Sequence, residues 1–152
     1  MIEECLQKHP SVALAAAVGR PDEHSGEVPV AYIQLRPDQT TSPEELLRYA
    51  QSAIPERAAW PKEIKILSAL PTTPVGKIFK PALILREMEA LVAQEAKVCG
   101  ATLSYSEALQ DARHGLTLKW SAHARADELK ARLDRYTFHH EQVDNSAGKN
   151  LA

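Results

Sequence analysis

The period of the apolar positions changes several times along the chain, and each change marks an element. Ile2 to Lys8 predicts a short helix, which His9-Pro10 ends because the residue before a proline avoids the helical region. Val12 to Val18 is a run of small apolar residues suited to a buried strand, and Val28 to Leu35 predicts a second. The polar segment Arg20 to Gly26 between them reads as a turn, and Arg36-Pro37-Asp38 closes the second strand. Ser42-Pro43-Glu44-Glu45 predicts a helix start, with Ser42 as cap, Pro43 in the first turn and Glu45 completing a capping box. Leu46, Leu47, Ala50 and Ile54 then recur on one helical face until Pro55. Glu63 to Leu67 alternates charged and apolar residues, as a half-buried strand does. A loop rich in Pro, Thr and Gly fills Leu70 to Lys80. Pro81 then opens a long helix with Leu83, Ile84, Met88, Leu91 and Val92 on its inner face, running to about Val98 before Gly100.

Beyond Gly100 the texture differs. Thr102 to Ala108 predicts a strand and Asp111 to Gly115 a turn. Leu116, Leu118 and Trp120 alternate with polar residues in a second strand. Ala126, Leu129, Leu133 and Tyr136 mark a short helix, and Thr137 to Val143 a final strand. The expected class is α/β (α+β): a small mixed sheet of about three strands with flanking helices, plus a C-terminal ββαβ extension. The expected division is a domain over 1–98, an extension over 99–143 packed on it, and a disordered tail over 144–152. An extension of about 45 residues is too small to bury a core unaided.

Composition narrows the function classes. Eighteen Lys+Arg face 20 Asp+Glu in 152 residues, for a formal net charge of -2, which argues against nucleic acid or another polyanion as the partner. No apolar run approaches the ~20 residues of a membrane span, and Met1-Ile2-Glu3-Glu4 does not open like a signal peptide. Two cysteines, Cys5 and Cys99, are read as buried thiols, and the expected setting is reducing and cytoplasmic. The histidines are His9, His24, His114, His123, His139 and His140. Adjacent residues on a strand face opposite ways, so His139-His140 is not a ligand pair, and no metal site is expected. Trp60 and Trp120 read as packing residues.

One segment carries chemistry: Leu70-Pro71-Thr72-Thr73-Pro74-Val75-Gly76-Lys77-Ile78-Phe79-Lys80-Pro81. Prolines Pro71 and Pro74 stiffen the loop and lower the entropy lost when it docks. Thr73 helps to orient it, and Gly76 permits a sharp turn or a close approach to a ligand. Lys77 then presents a mobile ammonium suited to phosphate or carboxylate oxygens. This is not a phosphate-binding P-loop, because Ile78 follows the lysine where Ser or Thr is required and the upstream glycine is missing.

The pattern Leu70-Pro71-x-Thr73-x-x-Gly76-Lys77-Ile78-x-Lys80 resembles the C-terminal signature of adenylate-forming acyl-CoA synthetases. The text upstream resembles the same domain in order and spacing: Ile2-Glu3-Glu4 through His9-Pro10, Val18 to Glu23, Gly26 to Ala31, and Trp60-Pro61-Lys62-Glu63-Ile64. The resemblance covers about residues 1 to 95, and the stretch Thr72 to Leu83 is most similar to the fatty-acyl and aryl-acyl CoA ligase branch. It implies two half-reactions. A carboxylic acid attacks the α-phosphate of ATP to give acyl-AMP and pyrophosphate, and the thiol of CoA then displaces AMP. It implies that Lys77 bridges the carboxylate and α-phosphate in the first step, and that the domain rotates for the second, when another face helps to form the pantetheine channel. The family's lysine is also an acetylation target, which would remove its charge. Arg20, Arg57 and Lys80 become candidate contacts for CoA or the partner domain.

The same resemblance implies that ATP, Mg and CoA are held mostly by an N-terminal adenylation domain. Its Thr/Ser/Gly-rich phosphate loop and ribose-binding Asp have no counterpart in these residues. The isolated chain is therefore expected to bind none of them and not to turn over. The alternative is a non-catalytic interaction module from a truncated ligase, which could self-associate as a homodimer through the face left without its partner.

Overall fold

The structure, a computed structural model, describes residues 1–144. The expected tail, Asp144 apart, lies outside the described residues. Among the described residues there are six strands and four α-helices: α1 (Ile2–Gln7), β1 (Val12–Asp22), β2 (Gly26–Leu35), α2 (Pro43–Ala53), β3 (Ile64–Ile66), α3 (Lys80–Cys99), β4 (Thr102–Asp111), β5 (Gly115–Ala124), α4 (Ala126–Leu133) and β6 (His139–Gln142). They form two three-stranded mixed sheets, ordered β1-β2-β3 and β4-β5-β6. The expected α/β class, with a small first sheet and a ββαβ extension, is the one observed.

The chain divides into two units. One comprises Met1–Arg20 and Glu27–Ile84, the other Pro21–Gly26 and the chain from Leu85 onward. The division falls inside α3, so the second unit has most of that helix as well as the strands that follow.

A turn of only three residues joins β1 and β2 as a hairpin, since a parallel pair would need a long crossover. β2 pairs with β3 in parallel, Ala31 opposite Ile64 and Ile33 opposite Ile66, and α2 lies in the crossover between them. Side chains of opposite faces of β2 enter two cores. Ala31 and Ile33 join Leu6, Val12, Ala15, Leu46, Ala50 and Ile54, while Val30 and Tyr32 join Ala16, Val18, Leu70 and Leu83. The start of α2 differs from the expected box in one half. Ser42 Oγ accepts from the Glu45 amide at 3.1 Å, but the Glu45 carboxylate takes the Thr41 hydroxyl at 2.7 Å instead of returning to Ser42.

β1 continues to Asp22, past the Arg20 at which a turn was expected. β1 is an edge strand, where Pro21 can sit without breaking a ladder bond. The reversal waits for Asp22, whose Oδ2 accepts from the amides of His24 (3.1 Å) and Ser25 (2.8 Å), and Gly26 takes φ 80°.

In the second unit, β4 and β5 are antiparallel, and α4 carries the chain over to β6, which runs parallel to β5 with Thr117 opposite His139 and Trp120 opposite Gln142. The core contains Met88, Val92 and Ala96 from α3, Leu118 and Trp120 from β5, and Leu129 and Leu133 from α4. The later turns of α3 thus supply apolar surface that a strand-strand-helix-strand unit lacks by itself. α3 ends as its sequence predicts. Gly100 takes φ 77°, and the Ala101 amide reaches back to the Ala96 carbonyl at 2.8 Å, a Schellman closure.

Candidate functional site

The loop from Pro71 to Lys80 is built by short-range bonds that its residue types favour. Thr72 and Ile78 form an isolated antiparallel bridge, and the Phe79 amide donates to the Pro71 carbonyl at 2.8 Å. Inside this frame Thr73 is the organiser. Its amide donates to the Lys77 carbonyl at 2.6 Å, its carbonyl accepts from the Gly76 amide at 2.9 Å, and its hydroxyl accepts from the Lys77 amide at 3.2 Å. Closing so tight a turn requires a residue with positive φ, and Gly76 stands at 86° with no atom within 4 Å of where a Cβ would be. Leu70 and half-buried Ile78 anchor the base of the loop in the core that holds Tyr32 and Leu83. The tip is exposed: Pro74, Val75, Gly76 and Lys77 all face solvent.

The geometry delivers one cation outward. The Lys77 side chain is exposed, and among the described residues no carboxylate pairs with it. Val75, 81% exposed, and Phe79, 45% exposed, flank it, so the loop offers apolar surface next to the charge. A rigid base with an exposed, unneutralised ammonium is an arrangement that an anionic centre in another domain can use.

The other three candidates lie in different settings. Lys80, in the first turn of α3, is ion-paired with Glu3 of α1 at 2.6 Å. Arg20 pairs with Glu63. Arg57 stacks over Trp60, its guanidinium carbon 5.3 Å from the ring centroid, and lines a shallow hollow with Leu47, Gln51, Pro61 and Lys62. Arg57 is thus placed beside an open concavity. Burial pushes the Cys5 thiol up from its ordinary range, away from the thiolate a nucleophile needs. Folding also assembles a group that the histidine spacing did not reveal. His114, from the β4–β5 turn, lies with its ring stacked on His139 of β6, close to Glu141.

A family model described as "AMP-binding enzyme C-terminal domain" matches residues 1–77. The chain belongs to that family. The matched stretch ends on the exposed loop lysine, Lys77. The chain is 38% identical over 146 residues to a marinolic acid–CoA ligase from Pseudoalteromonas sp., a match covering 91% of this chain and 22% of that protein. Over 89 residues it is 43% identical to an acetyl-coenzyme A synthetase from Deinococcus radiodurans, covering 59% of this chain and 13% of that protein. The crystal structure of a Brucella canis acyl-CoA synthetase superposes with a TM-score of 0.54 at 35% identity, covering 59% of this C-terminal domain chain and 17% of that one. The chain therefore spans about a fifth or less of the length of these relatives. The 146 residues aligned with the marinolic acid–CoA ligase include most of the second unit, so the extension has a counterpart there.

Proposed function

We propose that this C-terminal domain works as the mobile part of an AMP-forming acyl-CoA ligase of the fatty-acyl and aryl-acyl branch, and that Lys77 is its adenylation lysine. The observation that carries this reading is the loop itself: a glycine-closed, threonine-braced turn that presents one unpaired ammonium beside the apolar Val75 and Phe79. Adenylation brings a carboxylate to a phosphate, two anions that repel, and negative charge spreads over the phosphoryl oxygens in the transition state. A cation positioned in advance, in a site that closes to water, offsets both effects. Lys77 meets the first requirement through its rigid base, and the partner domain would supply the closure.

The segment Leu70 to Pro81 contains no carboxylate, so this loop gives Mg no anionic ligand. The metal and the triphosphate would be gripped by the N-terminal adenylation domain, and Lys77 would add positive charge at the α-phosphate. After adenylation the domain rotates, Lys77 withdraws, and CoA enters. Arg57, beside its open hollow, is better placed for a CoA phosphate or the partner domain than Arg20 or Lys80, whose charges are already matched by Glu63 and Glu3. The acid itself would be selected by the N-terminal domain.

The test is reconstitution. This chain is added to a matching N-terminal domain, and carboxylate-dependent ATP–pyrophosphate exchange is measured with wild type and with Lys77→Ala. Exchange restored by the wild type and lost with the alanine variant supports the proposal. Equal exchange with both, or none with either, rejects it.

A further inference from the structure

We propose that the second unit carries a divalent-metal site of the zinc type, formed by His114, His139 and Glu141 on the outer face of the β4-β5-β6 sheet. Three elements of geometry carry it. His139 and Glu141 are two residues apart on β6, so both leave the strand on one side, the side opposite His140, which accepts from Trp120 Nε1 at 3.2 Å on the core face. His139 Nε2 and Glu141 Oε1 are already 3.2 Å apart. His114 comes from the β4–β5 turn, and its imidazole stacks on that of His139 with ring centroids 3.9 Å apart and planes within 13°. One ligand atom of each residue lies within 4.8 Å of the others.

These separations are close to what a metal demands. Bonds of about 2.0–2.2 Å at tetrahedral angles put neighbouring ligand atoms about 3.4 Å apart. The widest pair must therefore close by roughly 1.4 Å, and the His114 ring must leave its stack on His139, because parallel imidazoles aim their in-plane lone pairs side by side and not at one point; rotation about the side-chain bonds of exposed His114 supplies both movements. The turn that carries His114 is itself pinned. Asp111 Oδ1 accepts from the amides of Arg113 (2.6 Å) and His114 (3.1 Å), and Gly115 takes φ 73°. Two imidazoles and one carboxylate form a donor set that suits zinc and leaves a fourth position for water. The ion would tie the β4–β5 turn to β6, a four-residue edge strand.

The experiment titrates Zn2+ alone into the full chain by calorimetry and follows amide exchange in β6. The expected result is one site, with slower exchange over 139–143 on loading. His114→Ala, His139→Ala and Glu141→Gln should each weaken binding by more than tenfold, since losing a ligand exceeds the loss of a supporting outer-shell group, which is itself ~10–100-fold. Far-ultraviolet dichroism checks that each variant folds, and His123→Ala, an exposed histidine away from the cluster, should bind like wild type. No saturable binding, or variants of the three residues that bind as well as wild type, overturns the proposal. So does binding that leaves β6 exchange unchanged.

Discussion

Replacing Gly76 by alanine isolates the backbone cost of holding the Lys77 loop in its outward turn. Gly76 has φ 86°, and a Cβ there meets nothing within 4 Å. Any penalty is therefore conformational, about 1–2 kcal/mol for an L-residue in the left-handed region. Opening of the loop releases that strain, so the opening free energy should fall by the same amount, a factor of roughly 5–30 in the open population. The assay is hydrogen exchange at the amides of Thr73, Gly76 and Lys77, which bond to Lys77 O, Thr73 O and Thr73 Oγ1. Gly76→Asn should recover part of the protection, because asparagine tolerates this region better. Gly19→Ala is the informative contrast. Its added Cβ would overlap the Glu27 side chain at 2.0 Å, a far worse collision on paper. Glu27 is exposed and flexible, and Gly19 lies outside the positive-φ region, so exchange in the loop should stay at the wild-type rate. If Gly76→Ala leaves loop exchange unchanged, or Gly19→Ala accelerates it equally, the loop is not held by the turn described.

Ser42→Ala removes the side-chain cap of α2 and should cost about 1 kcal/mol in denaturant unfolding. Met88→Ala empties a fully buried position in the second unit's core and should cost roughly 2–5 kcal/mol, read as loss of near-ultraviolet signal from Trp120 at lower denaturant. The Asp22 carboxyl is held below the ordinary carboxylate range, first by the Ser25 amide. A group whose pKa is lower when folded adds stability above its unfolded value of about 3.9. That contribution disappears as pH falls through the folded value, so the stability gap between wild type and Asp22→Asn should shrink steadily below about pH 4.

Much of the fold is legible in the sequence because local rules and burial agree there. The Ser42-Pro43 start of α2, the Gly100 end of α3 and the alternation around Trp120 each point to one structure, and each is found. The misses have physical causes. Pro21 reads as a turn residue, yet an edge strand accepts it, so β1 runs four residues beyond Val18. Tyr136 continues the helical spacing of Leu129 and Leu133, but α4 stops at Leu133 and Tyr136 closes a turn onto that carbonyl at 3.1 Å. The Lys77 loop shows in sequence because its chemistry is contiguous. The His114–His139–Glu141 group does not, because only the pairing of β5 with β6 brings residues 25 apart in number into one cluster.

If the Lys77 charge serves adenylation alone, its removal separates the two half-reactions. In a full-length ligase carrying this domain, Lys77→Ala should lower ATP–pyrophosphate exchange by about 10²–10³-fold, as loss of a preorganised electrostatic group does. Transfer of the acyl group from a supplied acyl-adenylate to CoA should continue near the wild-type rate. Equal loss in both half-reactions, or no loss in exchange, would contradict the assignment.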